Sequence, residues 1–450
     1  MMAEAIQRYH ALLADGLAMD THIALCDSLM QRGLFFGDTP LCRVLRPHFY
    51  DVDAWNYLKT QTGVILRAFA KAHQACMQES RLRQQLDLEP FEEQLFSLDE
   101  GVAVPWSSSR LDAFFQADTR YLRFVEYNAE TPAGIGYGDE LTEAFLELDV
   151  MKRFQQEYVV HPLHGMPSLL DVLLRGYKDW GGTDRPQIAI VDWGHVPTRT
   201  EHEICRAYFK AHGYHSVLAD PHELEYRNGN LWAGDFRVDI VYKRVLVSEL
   251  IREMGVDNAI VQAVRDHCVY LTNSFSAKLM AKKASFAFLS DEQNSFLFDD
   301  EERNAIALHI PWTRRVADRK TRYLDKEVDL LTFIRDNQER LVLKPNDEYG
   351  GKGVMIGWET STDEWEATLQ TALANPYVVQ ERVNLVQRDF PMMVEDTLDI
   401  SPRFIDADPY VFYGQEVGGC LTRLSSATLL NVTAGSGSVV PMFVIEKRTS

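Results

Sequence analysis

The stretch Tyr121-Leu-Arg-Phe-Val-Glu126-Tyr-Asn128-Ala-Glu-Thr-Pro132-Ala-Gly134, with Arg110-Leu-Asp112 just upstream, decides how the rest of the chain is read. Residues 121–128 are rich in β-branched and aromatic side chains with turn formers on both sides, which predicts a strand. Ser108 to Phe115 reads as a second strand, and Gln116-Ala-Asp-Thr-Arg120 as the turn between them. Side chains alternate faces along a strand, so Glu126 and Asn128 point the same way. A hairpin centred near Thr119 then sets Asp112 opposite Glu126 and Arg110 opposite Asn128. Two carboxylates, an amide oxygen and a guanidinium share one face. Hard cations such as Mg²⁺ take oxygens of this kind while keeping waters and substrate phosphates in the other positions. A hairpin with a solvated polar face has the same spacing.

The chain has 450 residues, enough for two or three domains. Its hydrophobic content of 46% and charged content of 25% are those of an ordinary globular protein. A net charge of −20 argues against a nucleic-acid or anionic-membrane surface, though a local basic pocket could sit inside the acidic shell. Cys26, Cys42, Cys76, Cys205, Cys268 and Cys420 are dispersed without a CxxC pair, which predicts reduced, packed thiols and no zinc site. The N-terminus lacks the apolar core of a signal peptide, and no run of about 18 uncharged apolar residues occurs. The expectation is a cytoplasmic protein that spans no membrane; the oligomeric state stays open.

Along the chain, residues 2–35 read as helix with Gly33 as its stop, and Leu41 to Pro47 as a short extended piece. A long helix runs from about Asp53 to about Leu86, with Asp51 or Asp53 as N-cap. Its apolar residues spread around much of the cylinder, so it is buried on several sides. After the hairpin, Thr131 to Gly138 is a glycine-rich turn into a helix at about 139–155. Such an N-terminus can receive a phosphate or carboxylate, or it is turn chemistry alone. Gln187 to Trp193 is an apolar strand, Glu201 to His212 a helix, and Ser216 to Ala219 and Val238 to Arg244 are strands. That order predicts a βαβ unit and a partly parallel sheet. Without GxGxxG after the first strand, a dinucleotide site is excluded. His195, His202, His212, His215 and His222 lack ligand spacing and read as surface or locally bonded side chains.

The last part of the chain holds the second signal. Arg340 to Pro345 is a strand carrying Lys344, Asn346 to Gly353 is a loop with Gly350-Gly351-Lys352-Gly353, and Val354 to Trp358 is a strand again. A Walker loop joins strand to helix and needs GxxxxGK[ST], which is missing here. A glycine hairpin whose amides fold over a polyphosphate is another solution, with Lys344 as a point charge on the phosphates. A surface β-turn is the plainer reading. Ser361-Thr-Asp-Glu364 is a capping box opening a helix that Asn375-Pro376 ends. Tyr377 to Val383 is a strand whose backbone could face an adenine, with Gln380 or Glu381 near base or ribose. Gly435-Ser-Gly-Ser lacks the spacing of a nucleophile elbow.

Taken together, Arg110-Leu-Asp112, Glu126-Tyr-Asn128-Ala-Glu-Thr-Pro-Ala-Gly, Leu343-Lys344-Pro with Gly350–Gly353, Val379-Gln-Glu381 and Gly419-Cys-Leu-Thr-Arg423 resemble the circularly permuted ATP-grasp proteins. The type is that of the synthetase half of glutathionylspermidine synthase. The motifs span about residues 110–435, and the metal motif precedes the lysine and hinge strands, as the permuted order requires. The resemblance implies an α/β (α+β) fold: a helical region over 1–100, a metal-binding hairpin segment of the ATP-grasp unit over 101–160, a βαβ-type domain over 180–280, and a nucleotide-binding domain over 281–450.

By the same resemblance, Asp112, Glu126 and Asn128 hold Mg²⁺ on the ATP phosphates, and Arg110 stabilises the transferring phosphoryl group. Lys344 with Gly350, Gly351, Lys352 and Gly353 cradles the β- and γ-phosphates, and Gln380, Glu381 and Val383 hold the adenine end. Arg423 and Asn431 go to the phosphate end. The family's second phosphate-binding lysine has two candidates here, Arg315 and Lys320. The 450 residues leave no room for an amidase domain like the one fused in some members, so glutathione or spermidine as substrate does not follow. The activity implied is an ADP-forming ligation of a small-molecule or peptide carboxylate with an amine, through an acylphosphate. Phosphoryl transfer relies on positioning and charge neutralisation, which agrees with the lack of a nucleophile triad in the sequence. The other readings are a phosphotransferase on the same scaffold and an ATP-binding regulatory or interaction protein without turnover.

Overall fold

In the computed structural model, which describes residues 1–36, 39–99, 102, 104–427 and 437–448, the strands Ser108–Gln116 and Tyr121–Asn128 form the hairpin. Arg110 pairs with Asn128 and Asp112 with Glu126, as alternation requires. The register then shifts at a bulge between Asp112 and Ala113. A bulge adds a residue to one strand and turns its side chains. Past it, Phe124 comes to the same apolar side as Tyr127, and both are buried. That side meets the long helix Val52–Gln78, with the rings of Phe69 and Tyr127 4.5 Å apart. The helix starts where Asp51 Oδ1 accepts from Ala54 N at 2.9 Å, and it ends at Gln78, short of Leu86. Glu79 is extended there, and two short turns follow.

The hairpin is not free-standing. Ser108–Gln116 also pairs with Asp408–Phe412, and the sheet continues through Glu416–Ser425, Thr397–Ile405 and Val386–Val394. Strands from the first third of the chain and from its last quarter therefore make one sheet. A second sheet, antiparallel, runs Thr313–Arg315, Tyr377–Glu381, Leu341–Pro345, Met355–Ile356. The helix Thr362–Ala374 follows its last strand with the capping box between Ser361 and Glu364 in place. The third sheet is parallel, in the order Tyr270–Thr272, Ile240–Lys243, Ile188–Val191, Ser216–Ala219, which is the βαβ arrangement read from the sequence. Asn273 joins it to the hairpin. Its Nδ2 donates to Ser108 O and Ala129 O at 2.7 Å each, and its Oδ1 accepts from Ser107 N at 2.9 Å.

Three further local expectations shift. The extended piece expected over Leu41–Pro47 is instead the strand His48–Asp51, so the first hundred residues are not purely helical. Its partner is Met442–Lys447, nearly four hundred residues away, which no local pattern announces. The 2–35 helix breaks around Gly16, at φ +102°. The helix expected from 139 begins at Ile135 and gives way after Leu146 to a second one, Asp149–Phe154. Gly134 precedes it at φ +102°, where a Cβ would stand 2.5 Å from Tyr410 Oη, so glycine is needed on both counts. All six cysteines are free thiols. Among the described residues no helix is long and apolar enough to cross a membrane.

Candidate active site

A single cleft is lined by Arg110, Asp112, Glu126 and Asn128 of the hairpin, by Lys344, Gly350 and Gly351, by Gln380, Glu381 and Val383, and by Arg423. Its floor is a cluster of guanidinium and carboxylate groups on neighbouring strands. Arg110 Nε donates to Asp112 Oδ1 at 2.8 Å and Arg423 Nη2 to Asp112 Oδ2 at 2.7 Å. Asn128 Nδ2 adds a bond to Asp112 Oδ1 at 2.9 Å. Arg423 also donates through Nε to Asp406 Oδ2 at 2.7 Å, and its Nη2 lies 3.0 Å from Asp408 Oδ2. Asp406 and Asp408, both buried, were not singled out in the sequence. They stand two apart at the turn into Asp408–Phe412, and that same-face spacing was their one local signal.

Electrostatics follow from this crowding. Burial pushes the Asp112 carboxyl up, but Arg110 and Arg423 outweigh it and hold the group below its ordinary range. Asp408 goes the other way, raised well above a carboxylate's range by burial, with Arg423 as the main opposing charge. Three carboxylates share two arginines, and the upward push of burial is strongest on the most enclosed of them, Asp408.

The opposite wall holds two lysines. Lys344 Nζ donates to Gln380 Oε1 at 2.6 Å and to Val125 O at 3.4 Å. Burial pushes its amine down to about 8; Glu126 opposes the shift and Lys283 adds to it. Lys283, at the start of the helix Ala284–Ser290, lines the same cleft, with Nζ 2.9 Å from Glu126 Oε1 and donating to Glu348 O at 2.6 Å. It was missed in the sequence. Lys278, Lys282 and Lys283 stand in an otherwise apolar stretch, and a lysine that must be buried is rare enough to have been a signal. Arg315 is not at the cleft. Its guanidinium pairs instead with Asp87. Lys320 lies on an exposed hairpin, bonded to Glu327 at 2.9 Å. Neither is among the residues that line the cleft.

In the loop, Gly350 and Gly351 face the cleft, while Lys352 is exposed and sits 3.3 Å from Glu348. Gly353, at φ +71°, packs on Pro345, where a Cβ would come within 2.8 Å of Cγ. At the other end the lining is apolar: Val342, Ile356, Trp358, Val383 and Leu385, with the Arg382 guanidinium 4.0 Å over the Trp358 ring. Gln380 Nε2 donates to Thr313 Oγ1, so that side chain is committed to Lys344 and the sheet. Glu381 accepts from Tyr323 Oη at 2.7 Å. Asn431 lies outside the described residues. The helix N-terminus after Gly134 does receive a carboxylate, but an internal one: Glu201 Oε1 accepts from Gly134 N at 2.7 Å and Gly136 N at 3.2 Å.

Among the described residues no group of three His, Cys, Asp or Glu side chains is arranged for a metal. The hairpin face offers two carboxylates and an amide. Both Asp112 oxygens are engaged by Arg110, Arg423 and Asn128, whereas Glu126 has one oxygen on Lys283 and Asn128 uses only its NH₂. That donor set fits a hard cation taking two or three protein oxygens and completing its shell with water and phosphate.

A family model described as circularly permuted ATP-grasp type 2 matches residues 111–425. Over 344 residues the chain is 24% identical to a Frankia casuarinae protein provisionally named glutamate--cysteine ligase 2-2, covering 70% of this chain and 36% of that protein. An uncharacterized protein of Mycobacterium bovis is 23% identical over 346 residues, 70% of this chain and 56% of its own length. The chain thus spans from about a third to just over half the length of these curated relatives. Among solved structures, the glutathione synthetase like-effector from Globodera pallida in apo form superposes with a TM-score of 0.55 at 11% identity, over 94% of this chain and 96% of that one. That is a likeness of fold.

Proposed function

The chain belongs to the circularly permuted ATP-grasp type 2 family, and from that premise we propose that it is an ADP-forming, ATP-dependent carboxylate–amine ligase. The observation that carries this reading is the convergence of Glu126, Lys283 and Lys344 on one cleft, since charges of both signs around one cavity suit a triphosphate and its cation. Lys344 and Lys283 bind the β- and γ-phosphates, and the Gly350–Gly351 amides close over them. The apolar end beside Val383 takes the adenine, and Glu381 the ribose. Arg110 and Arg423 face the transferring phosphoryl group. Glu126 and Asn128 hold Mg²⁺, with Asp112 a third oxygen shared with the two arginines. When bound, the ion neutralises charge on the phosphate oxygens.

The carboxylate substrate attacks the γ-phosphorus, the bond to the β-bridging oxygen breaks, and ADP leaves. The amine then attacks the acyl carbon, inorganic phosphate departs, and the amine loses a proton. The protein positions these groups and keeps water from the acylphosphate. The substrates are a small-molecule or peptide carboxylate and an amine. The name of the Frankia relative makes glutamate and an amino acid the first pair to try, ahead of the glutathione and spermidine of the glutathionylspermidine synthases.

Product analysis tests the proposal. A ligase releases ADP and phosphate only when carboxylate and amine are both present. A phosphotransferase leaves a stable phosphorylated acceptor, and a protein that only binds ATP does neither. Glu126→Ala should lower turnover by about 100-fold or more; an active Glu126→Ala variant rules the site assignment out.

A further inference from the structure

Resting on the reading of the cleft as a nucleotide site, we propose that Glu130 is a positioning residue that fixes the base of the 346–353 loop over the phosphate end, acting through Lys278 and Asp347. Glu130 sits two residues beyond the Tyr121–Asn128 strand and is 3% exposed. Its Oε1 accepts from Val247 N at 2.6 Å and from Lys243 Nζ at 3.3 Å, which ties it to the end of the parallel sheet. Its Oε2 accepts from Lys278 Nζ at 3.0 Å, and the same ammonium donates to Asp347 Oδ1 at 2.6 Å. Lys282 Nζ lies 3.6 Å from Asp347 Oδ2 and 3.0 Å from Glu92 Oε2. Three lysines and three carboxylates are thereby balanced, all of them buried except Asp347.

The network does more than neutralise itself. Asn346 O accepts from Lys283 N at 3.0 Å and its Oδ1 from Ala284 N at 2.8 Å; Asp347 is held by Lys278; Glu348 O accepts from Lys283 Nζ. Three consecutive residues at the loop's base are thus fastened to the segment 278–284. Between hairpin and loop base run two rungs, Glu126–Lys283–Glu348 and Glu130–Lys278–Asp347. The first faces the cleft, and an arriving phosphate competes with Glu126 for its lysine. In the second, Glu130 and Lys278 are buried, Asp347 is partly exposed, and none of the three lines the cleft, so it keeps the loop in register while the first is exchanged. A buried ionic network adds little net stability over an apolar replacement, and its best-attested use is to select one arrangement. Burial raises the Glu130 carboxyl, but Lys278 and Lys243 outweigh it, so Glu130 is charged.

The test uses the full chain and the variants Glu130→Gln, Asp347→Asn and Asp347→Glu, with two readouts. Amide exchange in the nucleotide-free protein should speed up about tenfold or more over 346–353 in Asp347→Asn while the Leu341–Pro345 strand exchanges as before. The Kd for ATP should rise about tenfold with the Kd for adenosine unchanged, and Asp347→Glu should recover part of the loss. Unchanged exchange over 346–353, or equal weakening of ATP and adenosine, overturns the proposal. If Glu130→Gln does not fold, Asp347, whose side chain is 28% exposed, still carries the test. A wild-type chain that binds neither ATP nor adenosine removes the nucleotide reading, while the exchange arm still judges the fastening by itself.

Discussion

On the floor of the cleft, Arg110, Asp112, Asp406 and Asp408 are buried, Arg423 is nearly so, and each is held by a partner of opposite charge within the cluster. Over the cleft, Tyr349 is 66% exposed and the Lys352 side chain 77%. The same cavity thus joins charges paired among themselves to a roof fastened at its base and, from an exposed ring, by Tyr349 Oη donating to Glu249 Oε1 at 3.3 Å. Charges that must stabilise a transferring phosphoryl group work best when already oriented, because no reorganisation is then needed during the reaction. A cover that admits and releases nucleotide has to move. The contrast predicts that damage to the floor shows in stability and damage to the roof shows in binding.

The strongest challenge to that division is Arg423→Met. It leaves Asp112, Asp406 and Asp408 short of a shared cation, and should cost about 3–5 kcal/mol in urea unfolding. A loss under about 1 kcal/mol would mean that the floor is not held as described. Lys344 sharpens the comparison from the wall between. With its amine at about 8, it is charged below that pH, and ATP affinity should be flat there. Above pH 8 binding must take up a proton, because the bound triphosphate favours the ammonium. The affinity should then fall toward about tenfold per pH unit, and the fall should vanish in Lys344→Arg. A flat titration calorimetry profile from pH 7 to about 9.5 contradicts the assignment. The smallest effect belongs to the roof: Lys352→Ala should change stability by less than about 0.5 kcal/mol, since an exposed pair with Glu348 is worth little. A marked loss of stability in that variant would show that the roof is part of what holds the fold, which breaks its contrast with the floor.

Much of the floor was legible because strand geometry is local. Alternation paired Asp112 with Glu126 and Arg110 with Asn128 without reference to the rest of the molecule, and the structure keeps that register. Lys344 and the glycine loop were legible for the same kind of reason, a strand ending and a turn that glycine makes possible. The lysine at 283 and the partner of Arg315 were not. Nothing near Arg315 in sequence announces Asp87, and nothing near Lys283 announces Glu126; each pair is brought together by packing between segments far apart in the chain. The helix N-terminus at Gly134 fell between these cases: its taste for an anion was readable, and that the anion is Glu201 was not.

By itself the sequence determined the hairpin and its register, the βαβ order, the capping box and the lysine-and-glycine hairpin, because dihedral preference, side-chain alternation and turn chemistry act over a few residues. Only the tertiary structure decided that the hairpin is a strand pair of the C-terminal sheet, that Lys283 joins Lys344, and that Arg423 closes the floor with Asp406 and Asp408. Those choices are settled by which buried charges find partners once distant segments pack, and the cost of leaving a charge unpaired out of water selects among arrangements that local rules allow equally.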